Sequence, residues 1–480
     1  MVGLTSYGAY IPRYRLNHST IFSAVGFLGT FPPPGETAVA SHDEDALSMA
    51  VAAGVDCLGG LNRETIDGLY LATTSQPYMV RQNSALVATA LDLQSSIRTA
   101  DFTGSTKSGT GALLAALDAV KGGTSTSVLV CASDCRLSKP GSPQEYLYGD
   151  GAAALLLGAE NVIAVFEGSY SVSYDFPDRW RADGERFEHA WEDRFIRDSG
   201  YGKFLPEAIS GLLKKYNIRI EEFAKIIYPG LYAREHSTIA KRLGAEPGQL
   251  QDTLLSTVGD TGSASPLMML VAALEEAKPG DKILVAGFGN GSDALFFRVT
   301  DEIGGIPGRR AVKQHLGSKK ELASYEKYLA FRNLAPMDLG MRGEISVRTP
   351  MSALFRERKA VLALCGSKCL ACGTPQYPYQ RVCVNPDCGV IDRMEEYRFS
   401  DRQGVVFTYT GDNLAASVDP PSIYGLVDFD SGGRFWFDFA DCDLDSVKVG
   451  MPVEMTFRKR YFDESSGVHG YSWKAMPVRA

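Results

Sequence analysis

The chain contains no uninterrupted apolar run near the roughly 20 residues that a membrane-spanning helix needs, and no membrane partner is expected. Its first residues, Met1-Val-Gly-Leu-Thr-Ser-Tyr7, hold no basic region followed by a long apolar stretch, so a secretory leader is not expected. Positive charge is in deficit: 49 Lys and Arg against 57 Asp and Glu leave a net charge of -8, the wrong sign for a dedicated nucleic-acid surface. Disulfide-style cysteine usage is missing as well. Of nine cysteines, five (Cys57, Cys131, Cys135, Cys365 and Cys442) are an odd, scattered set, which leads to the expectation of a reduced, cytoplasmic protein. What is present, 480 residues with 45% apolar and 22% charged content, has the balance of a soluble globular protein built from two or three domains.

The other four cysteines form the most specific motif. Cys369-Leu-Ala-Cys372-Gly-Thr-Pro and Arg381-Val-Cys383-Val-Asn-Pro-Asp-Cys388 set two pairs of thiols on tight turns. Gly373 suits one turn, Pro386 and Asp387 the other. Four thiolates so placed can close a tetrahedral shell around zinc, with no position left for substrate. The expected zinc is structural, and the reacting groups lie elsewhere.

From residue 1 to about 302, short apolar strands alternate with amphipathic helices, the pattern of an α/β architecture. Strands are predicted at 68–72, 127–131, 152–157, 225–228 and 282–286, and helices at 43–58, 109–121, 204–216 and 266–277. Two small-residue turns lead into helices, Gly104-Ser-Thr-Lys-Ser-Gly-Thr-Gly111 and Gly259-Asp-Thr-Gly-Ser-Ala-Ser265, and suggest an internal duplication with halves 1–165 and 166–302. A glycine- and proline-bearing linker is predicted over 303–317, then a polar helix at 319–333, an irregular run to about 361, and the zinc ribbon, the whole module spanning 318–395. Over 396–480 five alternating strands with Gly-containing turns suit a small barrel of the OB type. Nine basic against twelve acidic residues follow position 396, so this barrel is not expected to bind nucleic acid.

The helix, zinc ribbon and barrel resemble the accessory proteins that partner thiolase-like enzymes. The matching residues are Ser324-Tyr-Glu-Lys-Tyr-Leu-Ala-Phe-Arg332, Gly366-Ser-Lys-Cys369, Arg381-Val-Cys383 and Val447-Lys-Val-Gly-Met-Pro-Val453. The first 300 residues resemble 3-hydroxy-3-methylglutaryl-CoA synthases through Gly8-Ala-Tyr-Ile-Pro-Arg13, Ser75-Gln-Pro-Tyr-Met-Val80, Pro177-Asp-Arg-Trp-Arg-Ala-Asp-Gly184, Ala240-Lys-Arg-Leu-Gly244, Gly259-Asp-Thr-Gly262 and Gly289-Asn-Gly-Ser-Asp-Ala294. Tyr148-Gly-Asp-Gly-Ala152 is similar to the related β-ketoacyl synthase III enzymes. The resemblance implies the thiolase fold, αβαβα with two duplicated halves, here followed by a rubredoxin-like zinc ribbon and the barrel. It also implies a homodimer and a coenzyme A thioester as substrate.

That family attacks acyl-CoA with a cysteine, assisted by a glutamate and a histidine. Thr106 stands at the cysteine position, Thr74 at the glutamate position, and the histidine falls near Tyr228 or Pro229. An unassisted threonine is a weak nucleophile. The glycine-rich entry to the helix at Gly109 still offers N–H groups to a thioester oxygen. These readings lead to an expected 3-hydroxyacyl-CoA aldolase or retro-aldolase. Tyr228 is its candidate acid/base, Asp260 and His236 its helpers, and Thr106 completes the site. Each has a plainer alternative: Tyr228 as packing, Thr106 and Asp260 as caps, His236 as a surface residue. Cys135 is either a displaced nucleophile or a structural thiol. Acyl transfer by condensation, and a non-catalytic acyl-CoA-binding scaffold, are the alternative functions.

Overall fold

The computed structural model describes residues 1–26, 31–306, 308–338 and 349–479. Nine strands form its central sheet, in the order Lys225–Ile227, Lys282–Phe288, Gly291–Val299, Ala164–Ser173, Gly3–Tyr10, Gly151–Gly158, Val128–Asp134, Gly68–Ala72, Arg98–Phe102. The duplication is visible in the pairing. Gly68–Ala72 runs parallel to Val128–Asp134, which pairs antiparallel with Gly151–Gly158, itself antiparallel to Gly3–Tyr10. Lys225–Ile227, Lys282–Phe288, Gly291–Val299 and Ala164–Ser173 repeat that parallel, antiparallel, antiparallel sequence.

Two helices fill the inner layer. Ser108–Lys121 buries Ala112, Leu113, Ala116, Leu117 and Val120 at helical spacing, and Ser265–Leu274 is buried almost all round. Both contribute to one apolar core with Leu155, Ile227, Val285 and Leu295. They meet where only glycine fits: a Cβ on Gly109 would lie 2.1 Å from the Ser263 carbonyl oxygen. This contact brings the entry turns of the two halves together. Helices Ala46–Leu58 and Gly202–Tyr216 cover the outer faces.

The predicted linker is corrected. Within 303–317, Ala311–Gly317 is a helix whose Ala311 and Val312 belong to the inner core, so the α/β unit continues through it; Pro307 lies outside the described residues. The polar helix is also corrected. Residues Lys320–Glu321 pair with Tyr14–Asn17, and the helix is confined to Tyr325–Phe331, with Tyr325, Tyr328 and Phe331 buried. The irregular run contains helices Met351–Arg356 and Arg358–Ala363; positions 339–348 of that run lie outside the described residues.

Strands Cys365–Cys369, Pro375–Gln376 and Met394–Arg398 make a small sheet around the cysteine turns. Beyond it, Gly404–Asp412, Ser422–Phe429, Arg434–Asp438, Pro452–Asp463 and Val468–Pro477 form the five-stranded barrel sheet. The barrel shares a hydrophobic core with the first half: Leu47, Val51, Leu69 and Leu86 cluster with Phe399, Val427, Phe457 and Trp473. Arg458, 1% exposed, crosses this junction to Asp43 (3.2 Å) and Glu44 (2.8 Å) and pairs on its own side with Asp441 (2.7 Å). A charge so placed is tolerated only because carboxylates surround it.

Candidate active site

Two hollows meet at Thr106. The outer one, about 230 Å³, is lined by Thr74, Gln76, Ser105, Thr106, Asp178, Arg179 and Glu188 among others. The inner one, about 10 Å³, is lined by Thr106, Asp178, Arg179, Pro229, Asp260 and Phe288 among others. Larger hollows exist, about 270 Å³ between the α/β unit and the barrel and about 470 Å³ beside Ser95. Neither receives a residue from the two helix-entry turns.

Thr106 sits two residues before the helix Ser108–Lys121, and its Oγ1 donates to the Phe288 carbonyl oxygen at 2.8 Å. It is therefore not the N-terminal cap, and its recorded partner is an acceptor unable to take the proton. Gly289 passes so close that a Cβ there would lie 2.6 Å from Thr106 Oγ1. The turn Phe288–Gly291 thus needs glycine at this point to close over the helix entry.

Tyr228 is not in the hollow. Side chains alternate across a strand: Ile227 faces the inner core, and Ile226 and Tyr228 face the outer cluster with Phe204 and Ile239. The Tyr228 hydroxyl donates to the His236 carbonyl oxygen at 2.8 Å, and the two rings stack at 4.1 Å. Burial pushes its pKa up from the ordinary tyrosine value, the opposite of what an acid/base role requires. The Tyr228 and His236 assignments are corrected on this ground: both side chains are packing groups, and His236 is buried, with burial lowering its pKa. Pro229, one residue on, is the one that reaches the hollow.

Asp260 does line the inner hollow, but as an ion-paired group. Arg136 Nη2 donates to its Oδ2 and to its backbone oxygen, each at 2.7 Å, and Arg179 Nη1 lies 3.6 Å away. Its Oδ1 accepts from the Gly262 N–H at 3.1 Å, closing a local turn, while the cap position before Gly262–Ala264 is Thr261. Burial works to raise its pKa; the arginines outweigh burial and leave it below the ordinary carboxylate value. A carboxylate held ionised in this way is a weak base, so its helper role is corrected too. Cys135 lies under Arg332, whose Nη1 is 2.7 Å from its sulfur. Burial raises the thiol pKa despite that cation, which fits a structural thiol.

The sequence reading missed the groups that shape the hollow. Asp134, fully buried, accepts from Thr73, Thr74 and Ser75 through Oδ1 and from the Ser263 N–H and hydroxyl through Oδ2. It ties the turn of the first half to that of the second. Arg136 stacks on Tyr148 at 4.0 Å from the ring centroid, and the Tyr148 hydroxyl donates to Glu188 at 2.7 Å. Asp178 lines both hollows beside Thr106 and is 6% exposed. Burial raises its carboxyl pKa above the ordinary value, against the Arg179 N–H and guanidinium. Its signal was available, since Asp178 and Arg179 stand inside the stretch Pro177–Gly184.

The four sulfurs of Cys369, Cys372, Cys383 and Cys388 lie within 4.8 Å of one another. Cys369 and Cys388 are 3.8 Å apart and Cys372 and Cys383 3.5 Å. The edge of a tetrahedron with Zn–S bonds of about 2.3 Å is about 3.8 Å, so the donor set fits that ion.

The chain is 31% identical over 336 residues to the hydroxymethylglutaryl-CoA synthase of Methanopyrus kandleri, covering 68% of this chain and 96% of the relative. It is 32% identical over 341 residues to that of Archaeoglobus fulgidus, covering 69% and 98%. The chain belongs to the hydroxymethylglutaryl-CoA synthase family. Residues 213–296 match the 3-oxoacyl-[acyl-carrier-protein] synthase III C-terminal family, and 397–458 match the ChsH2 C-terminal OB-fold domain. In fold, an HMG-CoA synthase complexed with CoA superposes with a TM-score of 0.60 at 19% identity, covering 73% of this chain and 94% of that one. The 3-oxoacyl-[acyl-carrier-protein] synthase III of Aquifex aeolicus gives 0.56 at 20%, covering 62% and 100%. This family member therefore joins a thiolase-like unit to an OB-fold accessory domain in one chain. Where the resemblance places the family's cysteine and glutamate it has Thr106 and Thr74, both at the hollow.

Proposed function

We propose that the chain binds a coenzyme A thioester in the hollow over Thr106 and makes or breaks a carbon–carbon bond next to the thioester carbonyl through an enolate, with no acyl-enzyme on a cysteine. The observation that carries this reading is the joint position of Asp178 and Thr106. A buried carboxyl of raised pKa lines the same two hollows as the helix entry that can receive a developing oxyanion. In this mechanism Asp178 takes a proton from the carbon next to the thioester. The electron pair moves onto the thioester oxygen, and the enolate carbon then adds to a second carbonyl, whose oxygen accepts a proton. The reverse sequence is aldol cleavage.

The relatives are named as synthases and one related structure holds CoA; this supports condensation over cleavage. A second reading, covalent acyl transfer, has the same relatives behind it, but Thr106 lacks a base as its recorded partner. Intact-protein mass after incubation with acetyl-CoA and longer acyl-CoA thioesters separates the two. The expected result is an unchanged mass; an acyl-sized increase that vanishes in Thr106→Val would replace this mechanism with the covalent one.

Two further assignments belong with it. Zinc held by Cys369, Cys372, Cys383 and Cys388 would supply a structural cross-link and no reacting position. The edge strand Arg98–Phe102, last in the sheet, suits pairing with a second copy; light scattering at twice the chain mass would support the homodimer.

A further inference from the structure

We infer that the accessory module holds both walls of the hollow's mouth and sets access to it, through positioning residues at two grips. This rests on the reading of the hollow as the thioester site.

One wall is the hairpin in which Arg179–Trp180 pairs with His189–Ala190; it carries Asp178, Arg179 and Glu188 to the hollow. Its tip residue Arg186 donates from Nη2 to the carbonyl oxygens of Arg332 (3.3 Å) and Asn333, at the end of the accessory helix Tyr325–Phe331. Arg332 is also fixed by its side chain. Its Nη1 donates to Asp150 at 2.9 Å and its Nη2 to the Arg136 carbonyl oxygen at 2.7 Å. The same residue therefore anchors the rim through its carbonyl and the floor through its guanidinium, one step from the Arg136–Asp260 pair.

The other wall is the loop 74–79, which brings Thr74, Gln76 and Met79 to the hollow. The barrel hairpin Pro452–Asp463 and Val468–Pro477 holds it at His469. The His469 N–H donates to the Tyr78 hydroxyl at 2.9 Å, that hydroxyl lies 3.3 Å from the His469 carbonyl oxygen, and the rings meet edge-on at 5.5 Å. Across the mouth, Arg181 Nη2 donates to the Thr74 carbonyl oxygen at 3.2 Å, so the two walls also touch each other. Among the described residues, hairpin and loop are each tied to the accessory module by a grip that a side-chain change can remove while the core is left intact. Both walls carry exposed residues, as short loops with few buried contacts do, and such segments open readily unless tied.

The test uses the full chain with Tyr78→Phe, Arg186→Met and their double variant. Backbone hydrogen exchange is read over 74–82 and 179–190, and the affinity for coenzyme A is read by calorimetry. Exchange should quicken about tenfold or more in the wall whose grip is removed, with an unchanged melting temperature. Affinity for coenzyme A should fall about tenfold in the double variant, and Arg186→Lys should restore both readouts at its wall. Unchanged exchange in both segments of the double variant would overturn the inference, as would loosened walls with unaltered coenzyme A affinity. If the wild-type chain binds no coenzyme A, the thioester reading falls, and the exchange data alone decide whether the module holds the walls.

Discussion

At the scale of single residues, the chemistry rests on which carboxylate in the hollow can change its protonation. Asp260 and Asp178 both line the inner hollow, and their surroundings push them apart. Asp260 is held down by Arg136 and Arg179 once these outweigh burial, whereas burial raises Asp178. A base must be deprotonated to act, so a raised pKa moves the acid limb of the rate upward. Turnover, followed across pH, should rise through a limb above the ordinary aspartate value of about 3.9, and Asp178→Asn should abolish the limb and lower the rate by about 100-fold or more. Tyr228→Phe, by contrast, should leave turnover within about threefold. It removes the hydroxyl that bonds the His236 carbonyl, and its cost, about 1 kcal/mol, should be read in denaturant unfolding. Thr106 was legible as a helix-entry residue from the glycine-rich turn. Tyr228 was misplaced because a strand position read from spacing alone is uncertain by one residue, and one residue reverses the face. Asp178 was legible only as part of the matching stretch Pro177–Gly184, since the two-residue strands of its hairpin carry no periodic signal.

At the scale of elements, the junction between helix Ala46–Leu58 and the barrel strand Pro452–Asp463 is held by Arg458. Removing one member of a buried ionic cluster leaves the others unpaired, so Arg458→Met should cost about 3–5 kcal/mol in chemical denaturation. The acid behaviour follows from the same group. Burial works to raise Asp43 and Asp441, but Lys474, Arg458 and Arg479 overcome it and hold both below the ordinary carboxylate value. Groups with depressed folded pKa values add stability that is present above the unfolded value, about 3.9, and is lost as pH falls through the lower folded values. Glu44, raised by burial, works in the opposite direction. Thermal unfolding should thus keep these two contributions at pH 5 and lose them only below about pH 4; loss already at pH 6 would contradict the assignment. In the cysteine module, a strong chelator should release one zinc per chain and increase exchange in strands Cys365–Cys369 and Met394–Arg398, with the sheet core unaltered. The cysteine spacing made this site legible, and the five barrel strands were legible from their alternation. The linker was not, because the two apolar residues that enter the core, Ala311 and Val312, sit among Arg309, Arg310, Lys313 and Gln314.

At the scale of the molecule, one hydrophobic cluster runs from the first half into the barrel, with Leu47 and Val51 on one side and Phe457 and Trp473 on the other. Cutting the chain after Gly317 would expose that face. The truncated protein should aggregate on gel filtration, whereas a monodisperse truncation would show the accessory module to be separable. Domain order was readable from composition shifts, but this fusion was not, since contacts across hundreds of residues leave no local trace. The central claim concerns the thioester. The most direct measurement is deuterium incorporation from heavy water into the carbon next to the thioester of acetyl-CoA, followed by mass spectrometry with the wild-type chain, Thr106→Val and Asp178→Asn. Exchange by the wild type, retained in Thr106→Val and reduced about 100-fold or more in Asp178→Asn, is the expected result. Exchange that persists in Asp178→Asn, or none in the wild type, would contradict enolate chemistry at this site.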